Sequence, residues 1–203
     1  MSNRLAAARE RERARVMQEV SAIALQLFDE RGYDRVTMQD VADASGVSVA
    51  TLYRRFTTKE NLVCWQPDEQ TGMSALAAAV ASGRPPVAAA LDLARELPDQ
   101  AVEAITATAR IRLRLISEHP AVQAAALEKS ESFVRSVLDA SADHDSRALL
   151  DREVEVRCVA AAMEAANRAW LRGDGSLRDC HVTALELLTT HGPSVPGPPE
   201  RSD

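Results

Sequence analysis

Two short helical segments on either side of a glycine constrain the fold of this chain more than any other feature. Apolar residues recur at helical spacing from Thr37 onward, the period breaks at Ser45-Gly46, and it resumes as far as Phe56. Gly46 can adopt the positive φ that a tight turn between helices requires. Ala42 is small enough for two helices to cross closely. The segment therefore predicts two helices joined by a turn.

The outward positions of the second helix carry hydrogen-bond donors and cations, with no acid among them. They are Ser48, Val49, Thr51, Tyr53, Arg54 and Arg55. A helix-turn-helix presents such a second helix to the major groove of DNA, so we expect nucleic-acid binding. The alternative is an ordinary helical hairpin with a solvated outer face.

Start signals for four helices follow one another in the first third of the chain. The first helix is predicted from near Ala6 to Arg31, with Gly32 at its C-terminal cap. Thr37 and Ser48 are the predicted N-caps of the next two helices, and Thr57-x-x-Glu60 has the pattern of a capping box that opens a fourth. Pro67 is expected to end or kink that fourth helix.

The rest of the chain is predicted to be an all-α bundle of about five to six helices. The expected helices are Val87–Leu97, Asp99–Glu118, Ala121–Ala140, Ser146–Arg172 and Ser176–Thr190, after a loop at Gly83–Pro86. The fold class is therefore an N-terminal three-helix DNA-binding domain followed by a larger helical ligand-binding and dimerisation bundle. We place the domains at 1–65 and 66–191, with a Pro- and Gly-rich tail at 192–203 that we expect to be disordered.

The charge of the chain is divided unequally between these two parts. Residues 1–65 contain 10 Lys and Arg against 9 Asp and Glu, about +1, whereas the remainder contains 14 against 21, about −7. An acidic body repels a DNA duplex, so only the head can dock. Arg4, Arg9, Arg11, Arg13 and Arg15 alternate with glutamates in the leading segment. Either a solvated face or contact with DNA explains them.

Other functional classes find little support in the sequence. No secretory signal and no membrane-spanning run is present, so we expect a cytoplasmic protein with no membrane partner. Cys64, Cys158 and Cys180 are widely spaced and match no structural zinc pattern. No nucleophile elbow or phosphate loop surrounds them, so we expect no enzyme, no metal and no cofactor. The alternative to a DNA-binding protein is a thiol-based redox sensor or a helical enzyme that uses Cys158 or Cys180.

The segment Gly32–Val63, GYDRVTMQDVADASGVSVATLYRRFTTKENLV, resembles the N-terminal domain of TetR-family transcriptional regulators. The shared pattern is a Gly, a Thr-led helix, then Thr-Leu-Tyr-x-x-Phe and Lys-Glu-x-Leu. The resemblance implies a homodimer that binds a pseudo-palindromic operator, represses transcription and releases the DNA when a small molecule enters the body. Alternatives within DNA binding are an activator and a regulator without an effector.

The resemblance also implies roles for individual residues. Phosphate contacts fall on Thr37, Tyr53 and Lys59, and contacts with bases or neighbouring phosphates fall on Ser48, Val49, Thr51, Arg54 and Arg55. Ala50 stands in the same helix where the family often has Gly, and Arg54 where it commonly has an aromatic residue or His. The operator sequence of better-known relatives therefore cannot be transferred.

In the body, the candidate ligand-binding residues are Arg110, Arg114, Phe133, Met163, Asn167 and Trp170. The arginines could meet an acidic ligand group, or they could pair with surface acids. The other four could line a pocket, or they could form a plain helix core. We expect an effector that is largely apolar, either throughout or with an acidic or CoA-like head. The dimer is expected to form through the last two helices, where Ala160–Ala162, Ala165 and Ala166 permit close crossing.

Overall fold

The computed structural model describes residues 2–65, 72–96, 99–139 and 145–191, and the described part is all-α. The head contains α1 (Ser2–Arg31), a 3₁₀ turn (Tyr33–Arg35), α2 (Met38–Ser45), α3 (Val49–Phe56) and α4 (Lys59–Cys64). The body contains α5 (Met73–Ala81), α6 (Pro86–Glu96), α7 (Asp99–Glu118), α8 (Pro120–Asp139), α9 (Ser146–Arg172) and α10 (Leu177–His191). Pro67 and the tail at 192–203 lie outside the described residues.

The caps expected around the helix-turn-helix are confirmed. Gly32 ends α1 at φ 87°, and its N–H donates to the carbonyl of Phe28. Thr37 and Asp40 form a reciprocal capping box at the start of α2. Gly46 ends α2 in the left-handed region at φ 69°, and the Ser48 side chain accepts from the Thr51 N–H at the start of α3. These caps fix where the two short helices begin and end, which sets the angle between them.

The predicted cap of α4 is wrong by one residue. The hydroxyl of Thr58, rather than that of Thr57, accepts a hydrogen bond from the N–H of Asn61. Thr57 instead adopts φ 62°, ψ −49°, and the N–H of Thr58 donates to the Phe56 carbonyl at 2.6 Å. This is a γ-turn with positive φ, a strained conformation for a β-branched residue. The sequence pattern could not show which threonine caps α4, because Thr57 and Thr58 are adjacent and of the same residue type.

The body helices lie close to their expected bounds, with one addition. The predicted bounds of α6 through α10 differ from the observed ones by one residue or less at each end, and Pro120 starts α8 instead of separating helices. Helix α5 was not predicted as a separate helix. Its run of small apolar residues, Met73–Ala81, has no amphipathic pattern to mark it. In the described residues the body has six helices, at the upper end of the expected number.

The hydrophobic core of the head continues into the body. Buried side chains of α1, α2, α3 and α4 form one cluster, which also contains Leu115 of α7 and Val122 of α8. Helix α4 packs chiefly on α8 and also touches α7 and α1. Head and body are therefore joined by packed side chains as well as by the chain itself.

Two further apolar clusters stabilise the body. The larger one joins α5, α6, α8, α9 and α10 around Val80, Ala89, Val134, Val156 and Leu185, with side chains that are small or aliphatic. The smaller one joins α7, α9 and α10 and includes Trp170, which is 4% exposed. Burial of this aliphatic surface, at about 25 cal/mol per Å² of apolar area, is the main stabilising contribution in the body.

Candidate DNA-binding surface

The inner face of α3 is buried in the core of the head, where α3 contacts α2 and α4. Leu52 is fully buried and Phe56 is 2% exposed, beside Val41 and Ala42 of α2. Phe56 also meets Trp65 edge to face, with ring centroids 5.9 Å apart. Because these contacts fix the rotation of α3 about its own axis, they determine which of its residues face outward.

The outward face of α3 carries an exposed phenol and two exposed guanidinium groups. Tyr53 is 53% exposed, and Arg54 and Arg55 are also exposed. Among the described residues, neither arginine has a hydrogen bond or ion pair to a protein group, and the Tyr53 hydroxyl has no protein partner. Five N–H donors in a planar fork suit phosphate or the O6 and N7 edge of guanine. This face can therefore bind an anionic partner without first breaking an ion pair.

Ser48 and Thr51 form a hydroxyl pair at the N-terminus of α3. Their oxygens lie 2.9 Å apart, and the Ser48 oxygen also accepts the Thr51 N–H. Two hydroxyl groups carry two protons and their mutual bond uses one, so one remains available for an outside acceptor. Ala50 is exposed, whereas Val49 is half-buried and packs against the core of the head. Val49 thus has less surface for a base contact than the other candidates.

Thr37 is exposed but its polar atoms are already occupied. Its N–H donates to the carboxylate of Asp40 at 2.7 Å, and its hydroxyl donates to the same oxygen. These hydrogen bonds lower the pKa of Asp40, so the carboxylate is charged at neutral pH. A phosphate approaching this helix N-terminus would meet that negative charge. The phosphate contact of Thr37 stays a prediction, and repulsion between the phosphate and the Asp40 carboxylate would weaken it.

The Lys59 side chain is bound to the protein itself and does not extend freely toward a phosphate. Its ammonium donates to the carbonyls of Tyr33, at 2.9 Å, and Val36, at 3.2 Å. It also lies 4.0 Å from the centroid of the Tyr33 ring. Two of its three donors thus join α4 to the 3₁₀ turn, and one remains. Its phosphate contact stays a prediction, but its first role in this fold is structural.

The leading arginines give a mixed result. Arg15 forms ion pairs with Glu12 and Glu19 on the same helix. This favours a solvated, self-paired face for Arg15. Arg9 and Arg13 are exposed. The side chains of Arg4 and Arg11 lie outside the described ones.

The joint between head and body has its own polar contacts. Tyr33 lies against His119, with ring centroids 4.5 Å apart, and its hydroxyl donates to Glu60 at 2.8 Å. Burial raises the pKa of Tyr33, so this phenol stays protonated and donates. Arg114 forms an ion pair with Asp29 of α1 and lies on the rim of a surface groove of about 500 Å³. Arg114 therefore belongs to the joint and not to the interior of the body.

Known protein families match both parts of the chain. The model described as bacterial regulatory proteins, tetR family, matches residues 22–63, and the model of the MftR C-terminal domain matches residues 84–193. The second match alone covers more than half of the chain. The chain belongs to the TetR family.

Curated and solved relatives are TetR-type regulators as well. An HTH-type transcriptional regulator of Mycobacterium tuberculosis is 47% identical over 45 residues, and the transcriptional repressor KstR2 of Rhodococcus jostii is 44% identical over 45 residues. Each alignment spans 22% of this chain and 22% of the relative. The crystal structure of Thermus thermophilus FadR, in complex with lauroyl-CoA, covers 90% of this chain and 98% of its own, at 20% identity and a TM-score of 0.49. PfmR of the same organism has 22% identity and a TM-score of 0.31.

Membership of the TetR family makes this chain a DNA-binding transcriptional regulator and not an enzyme. None of the helices in the described part combines the length and apolarity needed to cross a bilayer. The described residues also hold no group of three or more His, Cys, Asp or Glu side chains that could bind a metal ion. The expectation of no cofactor stays a prediction.

The six residues expected to bind a ligand lie in three different places. Besides Arg114 at the joint, Phe133 and Met163 pack on the large body cluster. Arg110 lies over the Trp170 ring with its guanidinium carbon 4.4 Å from the centroid, so these two residues do come together. Trp170 belongs to a different apolar cluster from Phe133 and Met163, so the ligand-binding role of these residues stays a prediction.

Asn167 is held by a histidine that the sequence did not link to it. Its side-chain oxygen lies 2.9 Å from Nε2 of His181 on α10. Burial lowers the pKa of His181 to about 4, so the ring is neutral at pH 7 and can donate from Nε2. This pair satisfies two partly buried polar groups and leaves the Asn167 oxygen less available to a ligand.

Sequence reasoning missed two functional candidates at the joint, Arg112 and Lys129. The Nε of Arg112 donates to the Val63 carbonyl at 2.8 Å, and the ammonium of Lys129 donates to the Cys64 carbonyl at 2.9 Å. A signal existed, because Arg112 interrupts an apolar stripe, three residues from both Ala109 and Leu115.

Proposed function

We propose that this TetR-family chain is a homodimeric repressor that binds a pseudo-palindromic operator through α3 and is released by a small, largely apolar effector. The observation that supports it best is the outward face of α3, where Tyr53, Arg54 and Arg55 are exposed and unpaired within the described residues. The site of action is the cytoplasm, where a bacterial operator lies.

The charge distribution supports docking by the head alone. The head is close to neutral overall, yet its two α3 cations are exposed and not neutralised by acids. The body is acidic, and several of its arginines are paired with carboxylates, as Arg84 is with Asp92 and Arg168 with Glu164. A duplex is therefore attracted to one end of the molecule and repelled by the rest.

The test of DNA binding begins with selection of a duplex from a random library by the full-length protein. On that duplex, Arg54→Ala should relax the preference at one base position and cost about 1–3 kcal/mol. Tyr53→Phe should weaken binding about equally on all sequences. If selection enriches no sequence, or if Arg54→Ala changes neither affinity nor specificity, the assignment of α3 as the reading helix is wrong.

The surface proposed for the dimer is the outward face of α9 and α10. These helices pack closely on each other, and Leu150, Val154 and Leu187 remain about half exposed on them. The five alanines expected at the interface differ in exposure: Ala162 and Ala166 are buried within the protomer, Ala160 is half-buried, and Ala161 and Ala165 are exposed. The exposed pair, next to the three aliphatic residues, permits close approach by the same helices of a second copy.

Replacing Leu187 by Glu tests this interface. The charge should separate the dimer, because it would place like charges on both copies of a two-fold contact. Leu127→Glu is a matched control, since Leu127 is 57% exposed on α8. Sedimentation velocity should show a monomer for the first variant and a dimer for the second. A dimer that survives Leu187→Glu but not Leu127→Glu would place the interface elsewhere.

The proposal for the effector rests on the chemistry of the body interior. The large cluster contains aliphatic and aromatic side chains around Met163 and Phe133, which suit an apolar molecule. Arg110 of α7 is exposed and stacked on Trp170 of the smaller cluster, without a carboxylate partner in the described residues. It could neutralise an acidic head group. Binding in the body would favour a conformation whose two heads no longer match the operator spacing.

A panel of hydrophobic and acyl ligands tests this part separately. An effector should raise the melting temperature and release the wild-type protein from the selected duplex. It should raise the melting temperature of Arg54→Ala equally, because that residue is far from the body. If no ligand of the panel shifts the melting temperature, the apolar effector is refuted while DNA binding stands.

The alternatives make different predictions. An activator differs from a repressor in the sign of the change in a reporter gene when the regulator is deleted. A thiol sensor is disfavoured by the structure, because burial raises the pKa of both Cys64 and Cys180 and keeps them as unreactive thiols. Replacement of all three cysteines by Ser should leave operator binding and release unchanged.

A further inference from the structure

The C-terminal end of α4 is held by two cations from two different body helices. The last carbonyls of any helix lack partners within the helix and carry a partial negative charge. Here Arg112 of α7 donates to the Val63 carbonyl, and Lys129 of α8 donates to the Cys64 carbonyl. We call this arrangement the α4 clamp.

Arg112 is an unusual group to find at such a place. Among the described residues it has no carboxylate partner, and burial lowers its pKa to about 10, so it is still charged at pH 7. An unpaired buried cation is costly unless its environment compensates. The end of α4 offers that compensation, because the Val63 carbonyl is the acceptor that this guanidinium has within the described residues. The charge of Arg112 is thus stabilised only while α4 stays in position.

The clamp lies within the apolar contact between head and body. Leu115 and Val122 belong to the same buried cluster as the core of the head, and the Cys64 thiol lies 3.7 Å from the Val122 carbonyl. Arg112 reaches α4 from one body helix and Lys129 reaches it from the next. A displacement of α7 relative to α8 cannot preserve both hydrogen bonds unless α4 moves as well.

We propose that Arg112 and Lys129 are positioning residues for operator binding: by clamping the end of α4 they hold each head at the angle at which a dimer spans both halves of the operator. This rests on the proposed function. The clamp touches no DNA, so its effect is confined to the relative position of the two heads. Loss of either bond leaves the contacts of a single α3 with a single half-site unchanged.

The difference between full-site and half-site binding distinguishes a clamp from a residue that merely stabilises the fold. Binding to a full operator needs two heads at the correct spacing, whereas binding to half of it needs one. A loosened joint lowers the effective concentration of the second head. A merely destabilised protein would lose full-site and half-site binding in the same proportion.

The experiment compares two duplexes, the one selected by the wild-type protein and one that carries only half of it. Arg112→Met should weaken binding to the full site about tenfold, within the range known for coupling residues, and leave half-site binding unchanged. Lys129→Met should likewise weaken binding to the full site and leave half-site binding unchanged, because it removes the bond to the Cys64 carbonyl. Arg112→Lys should recover part of the loss because an ammonium can donate to the same carbonyl.

Arg84→Met is the control. It also removes one arginine charge from the body, but its side chain pairs with Asp92 and does not bind α4. Its ratio of full-site to half-site affinity should equal that of the wild type. Equal ratios in wild type, Arg112→Met and Lys129→Met would overturn the proposal.

Hydrogen exchange gives a second measurement that does not depend on DNA. In full-length Arg112→Met, amides at the end of α4 should exchange faster, while those of α2 and α3 stay as in the wild type. Unchanged exchange at α4 would overturn the clamp. If the wild-type protein bound neither duplex, the proposed function would fail, and hydrogen exchange would still decide whether the clamp exists.

Discussion

The arginines on α3 and the ion-paired arginines of the body differ in what they contact, and the difference separates a binding surface from a solvated one. On α3, Arg54 and Arg55 extend into solvent without an acid within reach among the described residues. In the body, Arg157 lies between Glu131 and Glu153, and Arg168 pairs with Glu164 one turn away. A cation that is already paired gains little from a phosphate. Pairing is therefore a better indicator of function than the number of arginines.

The largest effect is expected when the two unpaired arginines of α3 are removed. Replacing Arg54 and Arg55 together by Ala should lower the affinity for the selected duplex by about 10²-fold or more, since each contact is worth about 1–3 kcal/mol. The control removes two paired arginines, Arg84 and Arg95, which bind Asp92 and Glu186. Fluorescence anisotropy at fixed salt should show nearly unchanged affinity for the control. A similar loss in both variants would mean that net charge alone controls binding.

A second prediction concerns a polar group inside the body. The stability of the folded protein should depend on pH through His181. Its folded pKa of about 4 lies below the ordinary value of 6.5, so the unfolded state binds more protons between these values. Stability should therefore be full above pH 6.5 and fall as the pH drops toward 4, by up to about 3 kcal/mol at 1.4 kcal/mol per unit.

His181→Gln removes this titration and keeps a hydrogen-bonding group beside Asn167. Urea unfolding of wild type and variant at several pH values gives the difference that belongs to His181 alone. The wild type should lose more stability than the variant below pH 6.5. Parallel curves for the two proteins would show that the ring is not buried in a neutral form.

Two neighbouring threonines in the head should respond in opposite directions. Thr57→Gly should stabilise the protein by about 1 kcal/mol, because Gly adopts the positive φ without strain. Thr58→Ala should destabilise it by about 1 kcal/mol through loss of the α4 cap. Both values come from urea unfolding. A loss of stability in Thr57→Gly would show that the γ-turn at Thr57 is not strained.

The smallest effect concerns the exposed ion pair across the joint. Asp29 and Arg114 are each more than 40% exposed, and such pairs contribute well under about 1 kcal/mol. A double-mutant cycle with Asp29→Ala and Arg114→Ala should give a coupling free energy within that limit. It should also leave the ratio of full-site to half-site affinity unchanged. A coupling energy well above this limit would show that the exposed pair, and not Arg112, holds the joint.

The sequence predicted those parts of the fold whose signals are local. The caps at Gly32, Thr37, Gly46 and Ser48 each depend on one or two residues, and the structure has all of them. Helix α5 was missed because an unbroken run of small apolar residues has no period. Long, punctuated helices such as α9 were correct to within one residue.

The site was predictable where it faces outward and not where it depends on tertiary contacts. The exposure of Tyr53, Arg54 and Arg55 follows from the helical period of α3. The capture of Lys59 by two carbonyls, more than 20 residues away in sequence, does not. Neither does the burial of Arg112, which needs the end of α4 beside it. Sequence periodicity assigns faces to a helix but does not say which helix packs against them.

The most direct test of the central claim is methylation interference on the selected duplex. If a free arginine of α3 reads guanine in the major groove, methylation of N7 at one guanine in each half-site should block wild-type binding. The Arg54→Ala or the Arg55→Ala variant should lose sensitivity at that guanine alone. Unchanged sensitivity at every guanine in both variants would contradict the account, because neither unpaired arginine would then be reading the DNA.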